Sequence, residues 1–208
     1  MTEEPTNEQF WDERYGNHGH GHIWSGEPNA ALVAEVADLT PGTALDLGCG
    51  EGADAVWLAR QGWKVTAVDV SGVAIGRAIE HAAETGTADA IEFQRRDLSE
   101  SFPEGRFDLV TSQFLHSPAA PVSEEILRAA RDAVAPGGTL LVEGHAGPPP
   151  WAPDAHNFLP TAAEVVTALD LDPAEWEVQR AVEHDRLQTG PDGTVVTRLD
   201  CTVKAKRK

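Results

Sequence analysis

An α/β fold with a doubly wound, mostly parallel sheet is what the order of apolar runs predicts for this chain. Three observations carry that expectation. Five strand-like runs alternate with helix-like periodicity, a glycine-rich turn joins the first of those strands to a helix, and two longer extended runs close the sequence around a turn.

The elements follow in order. "NEQFWDERY" (7–15) has the spacing of a short helix, with Phe10, Trp11 and Tyr15 on related faces. "GNHGHGHIWSGEP" then reads as a loop. In "PNAALVAEVADL" Pro28 suits a first turn, and Leu32, Val33, Val36 and Leu39 recur at helical spacing until Pro41-Gly42. "TALDLG" (43–48) is a short buried strand, and "GADAVWLARQG" (52–62) is a helix closed by Gly62. "KVTAVDV" (64–70) is the next strand. Ser71 can cap the helix "GVAIGRAIEHAAETG", which Gly86 ends. "AIEFQRR" and "FDLVTSQF" are strands, "SEEILRAARDAV" a helix, "PGGTLLVEGH" a fifth strand and "TAAEVVTAL" a helix. "WEVQRAVEHDRL" and "TVVTRLDCTVKA" form a hairpin through "TGPDG". The proline-rich "GPPPWAP" (147–153) is a loop at the carboxyl end of the fifth strand, where open α/β sheets build sites.

Composition narrows the function. A chain of 208 residues is one ordinary domain. Its 34 acidic against 16 basic residues give a net charge of −18, which disfavours a nucleic-acid partner. The basic cluster "KAKRK" at 204–208 reads as a solubilising tail. Two cysteines far apart, Cys49 and Cys201, argue against a disulfide framework or a thiolate metal site. With no long apolar run and no signal-like N-terminus, a cytoplasmic protein without a membrane partner is expected.

Gly48, Gly50 and Gly52 follow a strand and open a helix, which brings backbone N–H groups close to a ligand. Asp69 ends the next strand, where a carboxylate can accept from both hydroxyls of a ribose. The run "DLGCGEG" differs from a dinucleotide fingerprint: Asp46 and Glu51 flank the turn and would repel a pyrophosphate. They suit a ligand with an ammonium and a sulfonium, as in S-adenosylmethionine.

"LDLGCGEG", "VTAVDVS", "RRDL", "FDLVTSQFLH" and "PGGTLLV" together resemble the motifs of the class I S-adenosylmethionine-dependent methyltransferases, over roughly residues 28–205. "FWDERY" and "IWSGEPN" resemble, more loosely, the tellurite-resistance and thiopurine-type small-molecule subgroup. The resemblance implies a Rossmann-like sheet of seven strands, ordered 3-2-1-4-5-7-6, with strand 7 antiparallel and helices on both faces. It implies residues 1–27 as an N-terminal helix and lid-like loop, and 28–208 as the methyltransferase domain. S-adenosylmethionine would be the cofactor, and a small molecule the methyl acceptor, for a monomer or homodimer. The backbone at Gly48, Cys49, Gly50 and Gly52 would lie under the methionine part, with Asp46 near its ammonium and Gln113 beneath it. Asp69 would hold the ribose, while Val70, Asp97 and Leu98 would frame the adenine. Trp11, Arg14 and Tyr15 are candidates to cover the cofactor.

His116, after the fourth strand, is the candidate general base if the acceptor must lose a proton. Trp24, His145, Trp151 and His156 are candidates to line the acceptor pocket. The alternating His18, His20 and His22 invite a metal, yet the glycines between them favour a lid or plain loop, so no metal is expected. A non-catalytic cofactor-binding protein and a nicotinamide-dependent oxidoreductase remain the alternatives.

Overall fold

A computed structural model describes residues 5–17, 23–117, 123–152 and 159–208. Six α-helices and seven β-strands alternate along them as α1 (Asn7–Gly16), α2 (Ala30–Val36), β1 (Thr43–Leu47), α3 (Ala53–Arg60), β2 (Lys64–Asp69), α4 (Gly72–Glu84), β3 (Ile91–Arg95), β4 (Phe107–Gln113), α5 (Glu124–Asp132), β5 (Val134–His145), α6 (Ala162–Leu169), β6 (Trp176–Thr189) and β7 (Val195–Arg207). A 3₁₀ turn at Ala88–Ala90 leads into β3.

The strands form a single sheet in the order β3-β2-β1-β4-β5-β7-β6. Pairs among β1 to β5 are parallel, and β7 runs antiparallel to both β5 and β6. The expected order and the one reversed strand are both present. Alternating side chains of the central strands feed two apolar layers. Leu45, Leu47, Val110, Leu140 and Val203 pack with Val165 and Leu169 of α6. On the other layer Ala44, Val65, Ala67, Leu109 and Leu141 pack with Leu32 and Val36 of α2 and with Ala55, Val56 and Leu58 of α3. Trp63 and Trp176 are buried in these layers, and Trp57 packs half-buried against one of them.

Local chemistry sets the helix ends. Thr6 with Gln9 and Thr161 with Glu164 make reciprocal capping boxes at α1 and α6, and Ser71 and Ser123 accept from Ala74 and Ile126 at α4 and α5. Caps of this kind contribute about 1 kcal/mol each. Two expectations shift. Pro28 lies outside α2, whose N-cap is Asn29, because the Asn29 backbone and side-chain N–H groups both donate to Asp54 at 2.7 Å. The basic cluster at 204–208 is not a tail. Lys204 to Arg207 belong to β7, the Lys204 ammonium donates to the Glu35 carbonyl at 2.7 Å, and the Arg207 guanidinium lies 5.8 Å over the Trp176 ring. Period-2 alternation with Val203 and Ala205 inward buries this end of the strand, Lys204 and Lys206 take the other face, and Arg207 follows the inward face to reach Trp176.

Candidate functional site

The turn after β1 is set by backbone conformation. Gly48, Gly50 and Gly52 have φ of 73°, 53° and 83°, a region that side chains strain. Space is as restrictive as dihedral angle: a Cβ on Gly48 would stand 2.5 Å from the Leu115 side chain, and one on Gly52 would stand 2.9 Å from Ala78. Gly52 is the N-cap of α3, so this helix starts at the turn.

Three acidic side chains converge there. Asp69 accepts from the N–H groups of Gly50 and Ser71 at 2.9 Å each, which ties the end of β2 to the turn. Asp54 is held by Asn29, and Asp46 Oδ2 is buried with no hydrogen-bond partner. Burial raises the pKa of all three, and the neighbouring Asp54 and Asp69 help to push Asp46 well above its ordinary value. Glu51 departs from its expected place on the ligand. Its carboxylate pairs with Arg77 at 2.8 Å and accepts from the Ile23 and Trp24 backbone, so it pins the segment before α2 to α4.

The N-terminal helix covers this turn. Tyr15 is buried, its hydroxyl accepts from Trp24 Nε1 at 3.1 Å, and both side chains stand next to Gly50. Arg14 lies 5.7 and 5.8 Å over the Trp11 and Trp24 rings. Trp11 donates to Ser117 at 3.2 Å, just past β4. Asp12, which sequence reasoning missed, accepts from Ser71 Oγ at 2.6 Å and from the Val73 N–H, adding an acid at the start of α4.

The remaining candidates fall around the carboxyl edge. Val70 follows β2, and its carbonyl accepts from Arg95. The Asp97 carboxylate is engaged by the Ser99 backbone N–H and hydroxyl, at 2.9 and 2.6 Å, and Leu98 packs against the core. Gln113 is buried, donates to Thr111 and leaves Oε1 without a partner. Cys49 is buried and a free thiol, and burial raises its pKa.

Beside the turn lies a cavity of about 710 Å³, whose walls include Leu115, His116, Leu127, Val142, His145, Leu159, Val165 and Arg198. Leu115 is common to both compartments, because the same side chain touches Gly48. His116 Nε2 accepts from the His145 backbone N–H at 3.0 Å, so a base role would require that bond to break. Gly144 makes the approach possible, since a Cβ there would meet Nε2 at 3.1 Å. Burial and the neighbouring His145 lower the His116 pKa to about 4. A histidine shifted this way adds stability at neutral pH that is lost as pH falls below its unfolded value of about 6.5. An NMR titration is expected to show the His116 ring neutral down to about pH 4; a midpoint in the ordinary histidine range would contradict its buried state.

His145 bonds to Asp200 through Nδ1 at 2.7 Å. Trp151 is exposed at 41% and touches the cavity only through Arg198, which lies 5.7 Å over its ring, and Trp24 belongs to the turn; neither tryptophan is on the cavity wall. His156, His18, His20 and His22 lie outside the described residues, and among those described no cluster of His, Cys, Asp or Glu could hold a metal.

Comparison with known proteins matches a family model described as a methyltransferase domain to residues 44–138, the span from β1 into β5. Residues 44–138 form a methyltransferase domain of the class I S-adenosylmethionine-dependent type. It is 31% identical over 156 residues to a ribosomal RNA small subunit methyltransferase C of Alcanivorax borkumensis, covering 72% of this chain and 47% of that one. It is 33% identical over 112 residues to a ubiquinone biosynthesis O-methyltransferase of Pseudomonas paraeruginosa, covering 53% and 47%. The chain thus spans under half the length of these curated relatives. Among solved structures, TehB from Haemophilus influenzae has a TM-score of 0.67 at 19% identity, covering 97% of this chain and 67% of that one, a likeness of fold.

S-adenosylmethionine is the family's cofactor, and the residues present fit it. The unpartnered Asp46 Oδ2, on a turn shared with two further buried acids, is an environment that a cationic ligand would relieve. An acid whose pKa is raised by folding costs stability as pH climbs from the unfolded carboxylate value through the raised one. The thermal stabilisation given by S-adenosylmethionine should therefore grow as pH rises above the ordinary carboxylate value of about 4, and this growth should be blunted in Asp46→Asn. Scanning fluorimetry across pH checks it; a stabilisation that stays flat in the wild type contradicts the carboxylate–cation reading.

Proposed function

We propose that the chain transfers the methyl group of S-adenosylmethionine to a small, largely apolar acceptor held in the cavity. The observation that carries this reading is the shared Leu115 wall, which sets a cavity of about 710 Å³ directly against the glycine turn. The cofactor supplies a methyl group on a sulfonium, whose loss leaves a neutral thioether. The protein's work is then positioning and exclusion of water.

In this reading the backbone from Gly48 to Gly52 and Asp46 hold the methionine part, Asp69 holds the ribose, and Val70, Asp97 and Leu98 frame the adenine. Gln113 lies beneath the methionine. Residues 1–27 act as a cover over a methyltransferase domain at 28–208, with Trp11, Arg14 and Tyr15 on the cofactor side. His116 and His145 serve the acceptor, with His116 as a neutral wall rather than a proton acceptor, and Trp151 backs Arg198 of the wall. Size and lining favour a small molecule: the walls are mainly apolar, and the net charge of −18 opposes an RNA backbone, although one relative is named for ribosomal RNA.

Titration calorimetry should give a micromolar dissociation constant for the cofactor, about −8 kcal/mol. A panel of small acceptors should then release S-adenosylhomocysteine. Absence of binding at millimolar cofactor would sink the reading. Binding without turnover on any acceptor would favour a non-catalytic role.

A further inference from the structure

We infer that the acceptor is a phenol or comparably acidic hydroxyl, and that the His145–Asp200 pair removes its proton as the methyl group transfers. The inference rests on the cavity being the acceptor site.

Ring nitrogens decide which histidine can act. His116 has its Nε2 lone pair occupied by the His145 N–H. His145 is the reverse case. Its Nδ1 faces a carboxylate that can only accept, so Nδ1 carries the proton and Nε2 keeps the lone pair. No described residue bonds that Nε2, and His145 lines the cavity with its side chain 23% exposed. Asp200 is fully buried and also accepts from the Arg186 guanidinium, so it is fixed from two sides. It orients the ring and pairs with the charge that forms there. Asp200 is a positioning residue.

The other titratable groups nearby are engaged. Arg198 on β7 donates to the Gly147 carbonyl, and Glu143 on β5 is bonded to His184 of β6 and to Thr202. On the helical wall Glu124 pairs with Arg128 and Glu164 closes its capping box. Cys201, also on the wall, donates to the Pro160 carbonyl, and among the described residues these bonds leave His145 as the proton acceptor.

Two features select a phenol. The His116 and His145 rings, both on the cavity wall, are stacked at 5.3 Å and 14°, and Phe114 backs His145 at 4.8 Å, so flat rings border this part of the site. Imidazole strength also suits this class: aliphatic alcohols are too weakly acidic for it, whereas thiols ionise substantially without help. As the phenol oxygen bonds to the methyl carbon, the C–S bond breaks with its electron pair left on sulfur. The hydroxyl proton moves to His145 Nε2 and leaves to solvent after product release.

The test uses the full chain, S-adenosylmethionine and a series of phenols from 4-methoxyphenol to 4-nitrophenol. His145→Gln should lose about 10²-fold in kcat/KM on 4-methoxyphenol and far less on 4-nitrophenol, which is already about half ionised near neutral pH. Cofactor affinity by calorimetry should be unchanged. Asp200→Asn should change the pH profile of kcat/KM and steepen its dependence on phenol acidity in the same sense. An equal loss across the series would make His145 structural and overturn the proposal. So would cofactor binding without wild-type turnover on any phenol. Failure of the cofactor to bind takes down the underlying reading together with this one.

Discussion

Asp69→Ala is expected to weaken S-adenosylmethionine binding by about 10²-fold or more, because charge-assisted hydrogen bonds contribute about 1.5–3 kcal/mol each and a ribose offers two hydroxyls. The variant loses more than ligand bonds. The Gly50 and Ser71 N–H groups that Asp69 accepts in the folded chain are left without a partner, and each unsatisfied buried donor costs about 1–3 kcal/mol. The melting temperature should therefore fall together with affinity. Asp69→Asn separates the effects, since one amide oxygen remains an acceptor while the charge is gone. Calorimetry and thermal melts on both variants check this; unchanged affinity in a folded Asp69→Ala chain would remove Asp69 from the proposed ribose site.

Deleting residues 1–24 should leave the sheet folded, reduce cofactor affinity by at least about tenfold and abolish turnover. Tyr15 is buried against the turn beside Gly50, yet α1 is fastened mainly by polar contacts: Trp11 to Ser117, Asp12 to Ser71 and the Val73 N–H, and Arg77 to the Tyr15 carbonyl. An element held this way opens at less cost than one held by core packing, which suits a cover that must admit a ligand. Hydrogen exchange in α1 should slow on addition of cofactor. Equal exchange with and without it, or full turnover by the truncated chain, would end the cover proposal.

The scaffold of this site was legible in the sequence because its determinants are local. Glycines at 48, 50 and 52 require positive φ, Ser71 caps the helix that follows it, and the spacing of apolar runs fixes strands and helices one at a time. What escaped depends on pairing across distance. Asp12 meets Ser71 59 residues away, and His145 meets Asp200 55 residues away. The register of β5 against β7, which sets His145 opposite Asp200, is not written in either strand alone. A signal was present nonetheless: Arg198, Asp200 and Thr202 repeat at period two in a strand that turns them inward, a polar stripe where a purely structural strand would be apolar. Glu51 misled for a related reason, since its neutralising partner Arg77 lies a helix away.

The outermost strand has a consequence for handling the protein at high concentration. β6 runs 14 residues along one border of the sheet, and among the described residues β7 is the strand beside it. A free backbone row of that length is a template for another chain. Glu177, Arg180, Glu183 and Asp185 punctuate it with charge, and a register irregularity between Val178 and Arg180 interrupts its flatness. Acidification strips the carboxylates of that charge and also erodes the −18 that keeps copies apart. Self-association near the isoelectric point, about 4.7, should therefore begin at this border, and replacing Glu177 and Glu183 with glutamine should bring it on at higher pH.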